Sequence, residues 1–331
     1  MRSGISFETH RIQAEILDAA LSSDSREILF SDLEKKTGYS IDIIKENVKD
    51  LAESGAGSAG RKYFRIPESL DLILPPVILS GLKSGYIGQR IFAYKSIGST
   101  NDTARRLAES GSPEGTLVIA EKQTRGRGRL GRSWHSPQNK GLYFSLILRP
   151  RVPVEKMPAL SMVAALSVCR AIETMTDIRP QIKWPNDCLI NGKKVAGILI
   201  DISAELGRVS YAILGMGLNI NTAKKDFLSE LKKTATSLTI QTGMVFSRID
   251  CLRTLLHEFE KSYSNFCRYG FEFMAPELIK RSSVIGKEID FKLSGKKYTA
   301  IALGYDENGG LRVKSKTGVK LLTGGEVTIR K

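Results

Sequence analysis

The chain has 331 residues, 41% hydrophobic and 26% charged, the balance of an ordinary globular protein with room for about two or three domains. No run approaches the ~18 apolar residues of a membrane span, and the opening MRSGISFETH lacks the apolar core of a signal peptide. Cys169, Cys188, Cys251 and Cys267 form no CxxC pair, and His10, His135 and His257 form no HExxH. No zinc ribbon, disulfide framework or other metal site is therefore expected, and a reducing, cytoplasmic setting is. The unusual quantity is charge: 50 Lys+Arg against 35 Asp+Glu gives +15, the ordinary mark of a nucleic-acid partner.

In chain order, residues 8–54 read as helical, with Ile12, Ile16, Leu17, Ala20 and Leu21 on one apolar face. Two short helices around Gly38, the second capped by Ser40 and facing inward through Ile44, Val48 and Leu51, fit a helix-turn-helix. A glycine-rich hairpin over 55–66 carries Arg61, Lys62 and Arg65, which suggests a winged helix. Pro67, Pro75 and Pro76 then mark a linker.

Residues 91–283 alternate strands and helices. Strands are expected at 91–97, 117–123, 142–149, 181–184, 194–202 and 209–220, and helices at 101–110, 155–175 and 248–269. Asn191-Gly192 reads as a hairpin turn, so a mixed or antiparallel sheet with packed helices is expected. Residues 284–331 read as short strands, with turns at Ser294-Gly295 and DENGG, and suggest a small barrel-like β module.

The most informative run is QTRGRGRLGR, 123–132, followed by Ser133 and Trp134. Glycines let the backbone fold closely around an anion, and arginines supply forked donors to phosphate or carboxylate. Trp134 offers a flat face to a purine. A GxGxxG dinucleotide site is excluded, because no helix opens there and no acidic residue follows at the right distance. KWPND, 183–187, fixes Lys183 at a strand end. Ser99 and Asp102 are spaced as a capping box, and a helix N-terminus there presents polar groups to a ligand. KVAGIL, 194–199, and GMGLNIN, 215–221, are strands whose glycines mark close backbone approach.

In this order these segments resemble the biotin protein ligase family, in its longer form that doubles as biotin operon repressor. GRGRLGR, KWPND, KVAGIL, GMGLN and the preceding STN carry the resemblance, which spans essentially the whole chain and is strongest over 99–221. It implies an α+β multidomain protein. Residues 1–67 would be a winged helix-turn-helix, 68–90 a linker, 91–283 a catalytic α/β domain like that of class II aminoacyl-tRNA synthetases, and 284–331 an SH3-like β-barrel.

The resemblance also implies a reaction. Biotin and MgATP give biotinyl-5′-AMP and pyrophosphate, and a lysine of a biotin carboxyl carrier domain then takes the biotin. Ser99, Thr100, Asn101 and Gln123 would bind the ureido end of biotin. Arg127, Gly128 and Arg129 would wrap its carboxylate and the adenylate phosphate, Lys183 would sit at their junction, and Trp134 would stack on adenine. Arg129 and Lys183 are thus the expected catalytic residues, and Arg129, Trp134 and Lys183 the nucleotide contacts. The valeryl chain and rings of biotin would lie near Gly197 and Gly217. Leu130 stands where the family often has arginine. Residues 222–237, with Lys224, Lys225, Lys232 and Lys233, read either as a cover over the nucleotide or as a solvated loop.

A homodimer bound to operator DNA is implied as well, through Ser40, Lys45, Lys49, Arg61 and Lys62. Ile41 and Asp42 follow the capping serine where the family often has arginine. A ligase whose winged helix no longer binds DNA, a sensor without catalysis, and a lipoate or octanoate ligase are the competing readings. The charge falls unevenly: residues 1–90 hold 12 Lys+Arg and 13 Asp+Glu, a net of −1, while residues 91–331 hold 38 and 22, a net of +16. The positive charge therefore belongs mainly to the part expected to bind ATP and biotin.

Overall fold

The computed structural model of the chain describes residues 6–205, 207–293, 296–316 and 318–330. The expected turn at Ser294-Gly295 lies outside them. Three helices open the chain: α1 (Phe7–Leu21), α2 (Phe30–Thr37) and α3 (Ile41–Glu53). Gly38, at φ +77°, ends α2, and the Ser40 hydroxyl caps α3 by accepting from Ile43 N. Strand β1 (Glu27–Leu29), which the sequence did not announce, joins β2 (Ser58–Ala59) and β3 (Tyr63–Arg65) in a three-stranded sheet of order β1-β3-β2. Ile44, Val48 and Leu51 face inward, as expected.

Residues 68–90 do not form a free span. They include helix α4 (Pro75–Leu79), bury Ile73, Val77, Ile78 and Ile87, and pack on α1, where the Ser80 hydroxyl donates to Asp18 at 2.7 Å. Phe7 meets Phe92 edge-on at 5.4 Å, under the Arg90 guanidinium. Prolines break regular structure, but here the apolar residues between them find a core, and burial decides the conformation.

The central unit comprises β4 (Ile91–Tyr94), α5 (Thr100–Glu109), β5 (Leu117–Ala120), β6 (Gly141–Leu148), α6 (Leu160–Met175), β7 (Gln181–Lys183), β8 (Asp187–Ile190), β9 (Lys193–Glu205), β10 (Arg208–Asn219), α7 (Leu238–Thr242), α8 (Arg248–Tyr269) and α9 (Ala275–Arg281). Its seven strands run in the order β4-β5-β6-β10-β9-β8-β7. Only β4 and β5 pair in parallel, so the sheet is mixed, as the Asn191-Gly192 hairpin implied. Asn191 and Gly192 take φ +50° and +73°, the left-handed pair that a two-residue turn requires.

Val154–Met175 is long and apolar enough by composition to cross a membrane, contrary to the reading from apolar runs alone. It is mostly buried, and its α6 portion is apolar nearly all round because it lies between the sheet and α8.

A five-stranded antiparallel sheet closes the chain: β11 (Glu288–Leu293), β12 (Lys296–Tyr305), β13 (Leu311–Ser315), β14 (Gly318–Leu322) and β15 (Val327–Ile329), ordered β14-β13-β12-β11-β15. It is joined to the central unit at the KWPND turn, where the buried Trp184 indole donates to Gly309 O at 3.0 Å.

Candidate functional site

One cavity, open at its mouth, gathers most of the expected residues: Ser99, Thr100, Asn101, Gln123, Arg127, Gly128, Arg129 and Trp134. Its floor is glycine. Gly217 pairs with Gly197 across β10 and β9, and Gly215 pairs with Ser145 of β6. A Cβ on Gly215 would stand 2.1 Å from Asn101 Oδ1, and one on Gly217 would stand 2.3 Å from Trp134 Cε2. Glycine is therefore required so that Asn101 and the indole can lie flat on the sheet. The glycine floor expected to receive biotin rings is thus partly covered by the protein's own side chains.

The N-terminus of α5 forms the polar end. Ser99 occupies the cap position in extended conformation, but its hydroxyl makes no capping bond. The expected capping box is replaced from a distance: Gln123 Oε1 accepts from Thr100 N at 2.9 Å and from Thr100 Oγ1 at 3.1 Å. Gln123 is fixed in turn by donating to Ser136 Oγ at 3.1 Å. Behind it, buried Ser145 bonds Thr100 Oγ1 at 2.8 Å and Asn101 Oδ1 at 2.7 Å. Asp102, the other half of the expected box, accepts from Arg127 at 2.8 Å.

The glycine-arginine loop is a tight hairpin. Trp134 N donates to Gly126 O at 2.9 Å, and Gly128 N to Arg132 O at 2.7 Å. Leu130 and Gly131 make the turn at φ +54° and +74°. A Cβ on Gly126 would stand 2.5 Å from Trp134 O, so this glycine lets the two arms close. The arginines are held by acceptors of the chain itself. Arg127 also meets Asp201 at 3.1 Å, Arg129 donates to Asn186 Oδ1 at 2.8 Å, and Arg132 pairs with Glu326 in the β14–β15 connection. Arg105 shares Asp201 at 3.0 Å. Burial weakens the protonated form of Arg129, and its pKa is lowered although the charges of Asp187 and Glu326 oppose this.

Lys183 does not line the cavity, and Lys194 does. The reason is topological. Lys183 ends the edge strand β7, while Lys194 opens β9, the strand that supplies part of the floor. Lys194 Nζ stands 2.6 Å from Asp187 Oδ1 and 5.3 Å from the centre of the Trp134 ring. Trp134 is therefore no free platform for a purine: it lies against Gly197 and Gly217 with the ammonium over it, and its buried Nε1 has no partner among the described residues. The KVAGIL segment therefore supplies a cavity lysine as well as the floor glycine. Three cations, Arg127, Arg129 and Lys194, thus surround a polar recess with a glycine-floored wall, an arrangement suited to a carboxylate next to a phosphate.

The residues assigned to DNA lie apart, on α3 and at the β2–β3 turn. Ser40, Lys45, Lys49, Arg61 and Lys62 are exposed, and Lys45 pairs with Asp42 at 3.8 Å. Arg65 is bound to Glu27. Residues 222–237 form a closed loop, with Ser237 Oγ donating to Thr222 O at 2.7 Å. The described residues hold no group of three or more His, Cys, Asp or Glu able to ligate a metal.

Comparison with known proteins agrees with this site. Residues 93–219 match the biotin/lipoate A/B protein ligase family, and residues 284–330 match the biotin protein ligase C-terminal domain. The chain is 37% identical to the bifunctional ligase/repressor BirA of Bacillus subtilis, over 88% of this chain and 90% of that protein. It is 27% identical to the Escherichia coli protein of the same name, over 88% of this chain and 90% of that one. Among solved structures, the biotin protein ligase from Aquifex aeolicus in complex with biotin and ATP aligns with a TM-score of 0.63 at 32% identity, covering 73% of this chain and 99% of that one. On these matches, over the catalytic region and the C-terminal domain and with a relative alike over nearly nine-tenths of its length, the chain belongs to the biotin protein ligase family.

Proposed function

We propose that the chain is an ATP-dependent biotin protein ligase that also represses transcription in response to biotin, acting in the cytoplasm as a homodimer. The observation that carries the ligase reading is the convergence of the α5 N-terminus, the glycine-arginine hairpin and Lys194 on one cavity.

Biotin, ATP and Mg²⁺ enter as substrates. A carboxylate oxygen of biotin attacks the α-phosphorus, the bond to the β-phosphate breaks, and pyrophosphate leaves with the electron pair. Both reactants are anionic, so the chain's task is to bring them together and hold the charge that builds between them. Ser99, Thr100, Asn101 and Gln123 take the ureido end. Arg127, Gly128 and Arg129 close on the carboxylate and phosphate. Lys183 holds the junction between them, and Lys194, oriented by Asp187, stands beside it at the cavity wall. Trp134 contacts the nucleotide from its place on the glycine floor. An amine of a biotin carboxyl carrier domain then attacks the carbonyl. The new C–N bond replaces the C–O bond to phosphate, AMP leaves, and the amine proton passes to solvent.

Within this reading, residues 1–67 are a winged helix-turn-helix, 68–90 a packed connection, 91–283 the catalytic domain of class II synthetase type and 284–331 an SH3-like barrel. The outward face of α3 and the hairpin cations Arg61 and Lys62 are the DNA contacts. A second reading, a ligase that no longer binds DNA, draws support from the Lys45–Asp42 and Arg65–Glu27 pairs, which neutralise two of the cations nearest that face. ATP-dependent incorporation of labelled biotin into a purified apo carrier domain tests the ligase. A gel shift with the upstream regions of the organism's biotin genes, with and without biotin and ATP, separates the two readings. No incorporation would refute the first claim, and a shift indifferent to biotin the second.

A further inference from the structure

We propose that Asp201 is a positioning residue for biotin: it fixes which way the Asn101 amide points, and thereby the polarity of the hydrogen bonds offered to the ureido ring. The inference rests on the ligase reading and deepens it at the ureido end of the site.

Asp201 reaches the site from the sheet. Gly197, Leu199 and Asp201 alternate along β9 and pair with Gly217, Gly215 and Ile213 of β10. Gly197 and Leu199 line the cavity, so Asp201 stands on the same face, just beyond its wall. One carboxylate oxygen, Oδ2, accepts three bonds: from Arg105 at 3.0 Å, from Arg127 at 3.1 Å and from Asn101 Nδ2 at 3.3 Å. The two guanidiniums hold the carboxylate in place, and the carboxylate holds the amide.

The chemistry of the partners decides the orientation of that amide. Asn101 is buried, and it lies so close on Gly215 that it cannot tilt away from the sheet. On one side its Oδ1 stands 2.7 Å from the Ser145 hydroxyl, which also meets Thr100 Oγ1 at 2.8 Å. Hydroxyls accept or donate alike, so Ser145 and Thr100 leave the amide able to turn either way. A carboxylate only accepts. Asp201 therefore admits Nδ2 on its own side and sends Oδ1 to Ser145, and the reversed amide would set two acceptors against each other.

A cyclic urea carries N–H groups on either side of a C=O. Seated beside Thr100 and Gln123, such a ring matches an amide of one polarity only, and the reversed amide would oppose donor to donor and acceptor to acceptor. A polar group met by the wrong partner in a buried site costs more than a bond simply absent. Asp201 never touches the ring in this scheme, and its effect passes through Asn101.

The test compares full-length wild type, D201A, D201N, N101A and N101A/D201A, each checked for folding by circular dichroism. Biotin Kd is measured by calorimetry without nucleotide, and biotin-dependent ATP–pyrophosphate exchange gives KM and kcat. D201A should raise the biotin Kd about tenfold or more, the scale of a lost hydrogen bond to a charged group. Its KM for biotin should rise in step, while kcat at saturating biotin and the KM for ATP stay within about twofold of wild type. D201N, which keeps an oxygen able to accept from Asn101, should recover most of the loss. In the N101A background the same D201A change should add less than about threefold, because the amide through which it acts is gone. An unchanged Kd in D201A would overturn the proposal. So would an equal loss with and without Asn101, a fall in kcat to match the rise in KM, or a D201N protein as weak as D201A. Should D201A not fold, D201S is read in its place by the same criteria. Absence of biotin binding and exchange in the wild type would instead overturn the ligase reading itself, and is seen before any variant is compared.

Discussion

Asp187 Oδ1 stands 2.6 Å from Lys194 Nζ, so the acid of the KWPND turn holds the one lysine that lines the cavity among the described residues. The pair spans β8 and β9, and the ammonium also lies over Trp134. A charge held this way costs little reorganisation when an anion arrives beside it. Lys194→Ala is expected to lower adenylate formation by about 10²–10³, the usual cost of removing one preorganised charge-stabilising donor. Lys183→Ala should abolish it. Rapid-quench measurement of biotinyl-adenylate in both variants apportions the junction between the two lysines.

Gly217→Ala should be as damaging as the loss of a charged residue. The added methyl would stand 2.3 Å from the indole of Trp134, which has the sheet on one side and Lys194 on the other. Overpacking of this kind costs about 1–3 kcal/mol, and the displaced ring would fall into the binding space. A biotin Kd raised at least about tenfold is expected with a Tm only a few degrees lower. A wild-type Kd would show that the contact relaxes without consequence.

Arg129→Gly should release the intermediate. Arg129 is anchored to Asn186, which in turn donates to Ile198 O at 2.8 Å, so the guanidinium is set firmly at the cavity wall. Without it the adenylate leaves more easily and labels lysines at large. Promiscuous biotinylation of a bystander protein, detected by streptavidin blot, is the expected outcome. Labelling confined to the carrier domain would remove this role from Arg129.

Much of this architecture was legible in the sequence. The long helix over 248–269 was expected at its observed bounds, because its apolar spacing is unbroken and Ser247 and Gly270 end it. The glycine-arginine loop, the Asn191-Gly192 turn and the polar α5 N-terminus were equally plain. Lys194 was not, and the reason is local. Strict alternation along β9 puts Lys194 and Gly197 on opposite faces of the sheet. The pairing of Cys188 with Ala196 and of Leu189 with Lys194 leaves Val195 as an extra residue, a β-bulge that turns Lys194 to the cavity side with Gly197. The cap of α5 was hidden for another reason. Its acceptor, Gln123, is 23 residues away in sequence, beyond the reach of any local capping pattern.

The acid side of the stability curve should depend on Glu277. Burial disfavours its charge, but hydrogen bonds from Arg170 and Arg281 outweigh that and hold its pKa below the usual carboxylate range. A depressed carboxylate adds stability that is present above its ordinary pKa of 4.5 and is lost as pH falls through the lower, folded-state value. Glu277→Gln should therefore lower Tm near neutral pH and flatten the fall of Tm on acidification. A parallel shift at every pH would place the acid sensitivity elsewhere.

Biotin-dependent exchange of labelled pyrophosphate into ATP tests the central claim most directly, because it requires biotin, nucleotide and a working carboxylate–phosphate junction together. The full-length protein should catalyse exchange only when biotin is present, and Lys194→Ala should slow it by about 10²–10³ while retaining the wild-type fold. Exchange that proceeds without biotin, or that survives at the wild-type rate in Lys194→Ala, would contradict the assignment of this cavity as the site of adenylate formation.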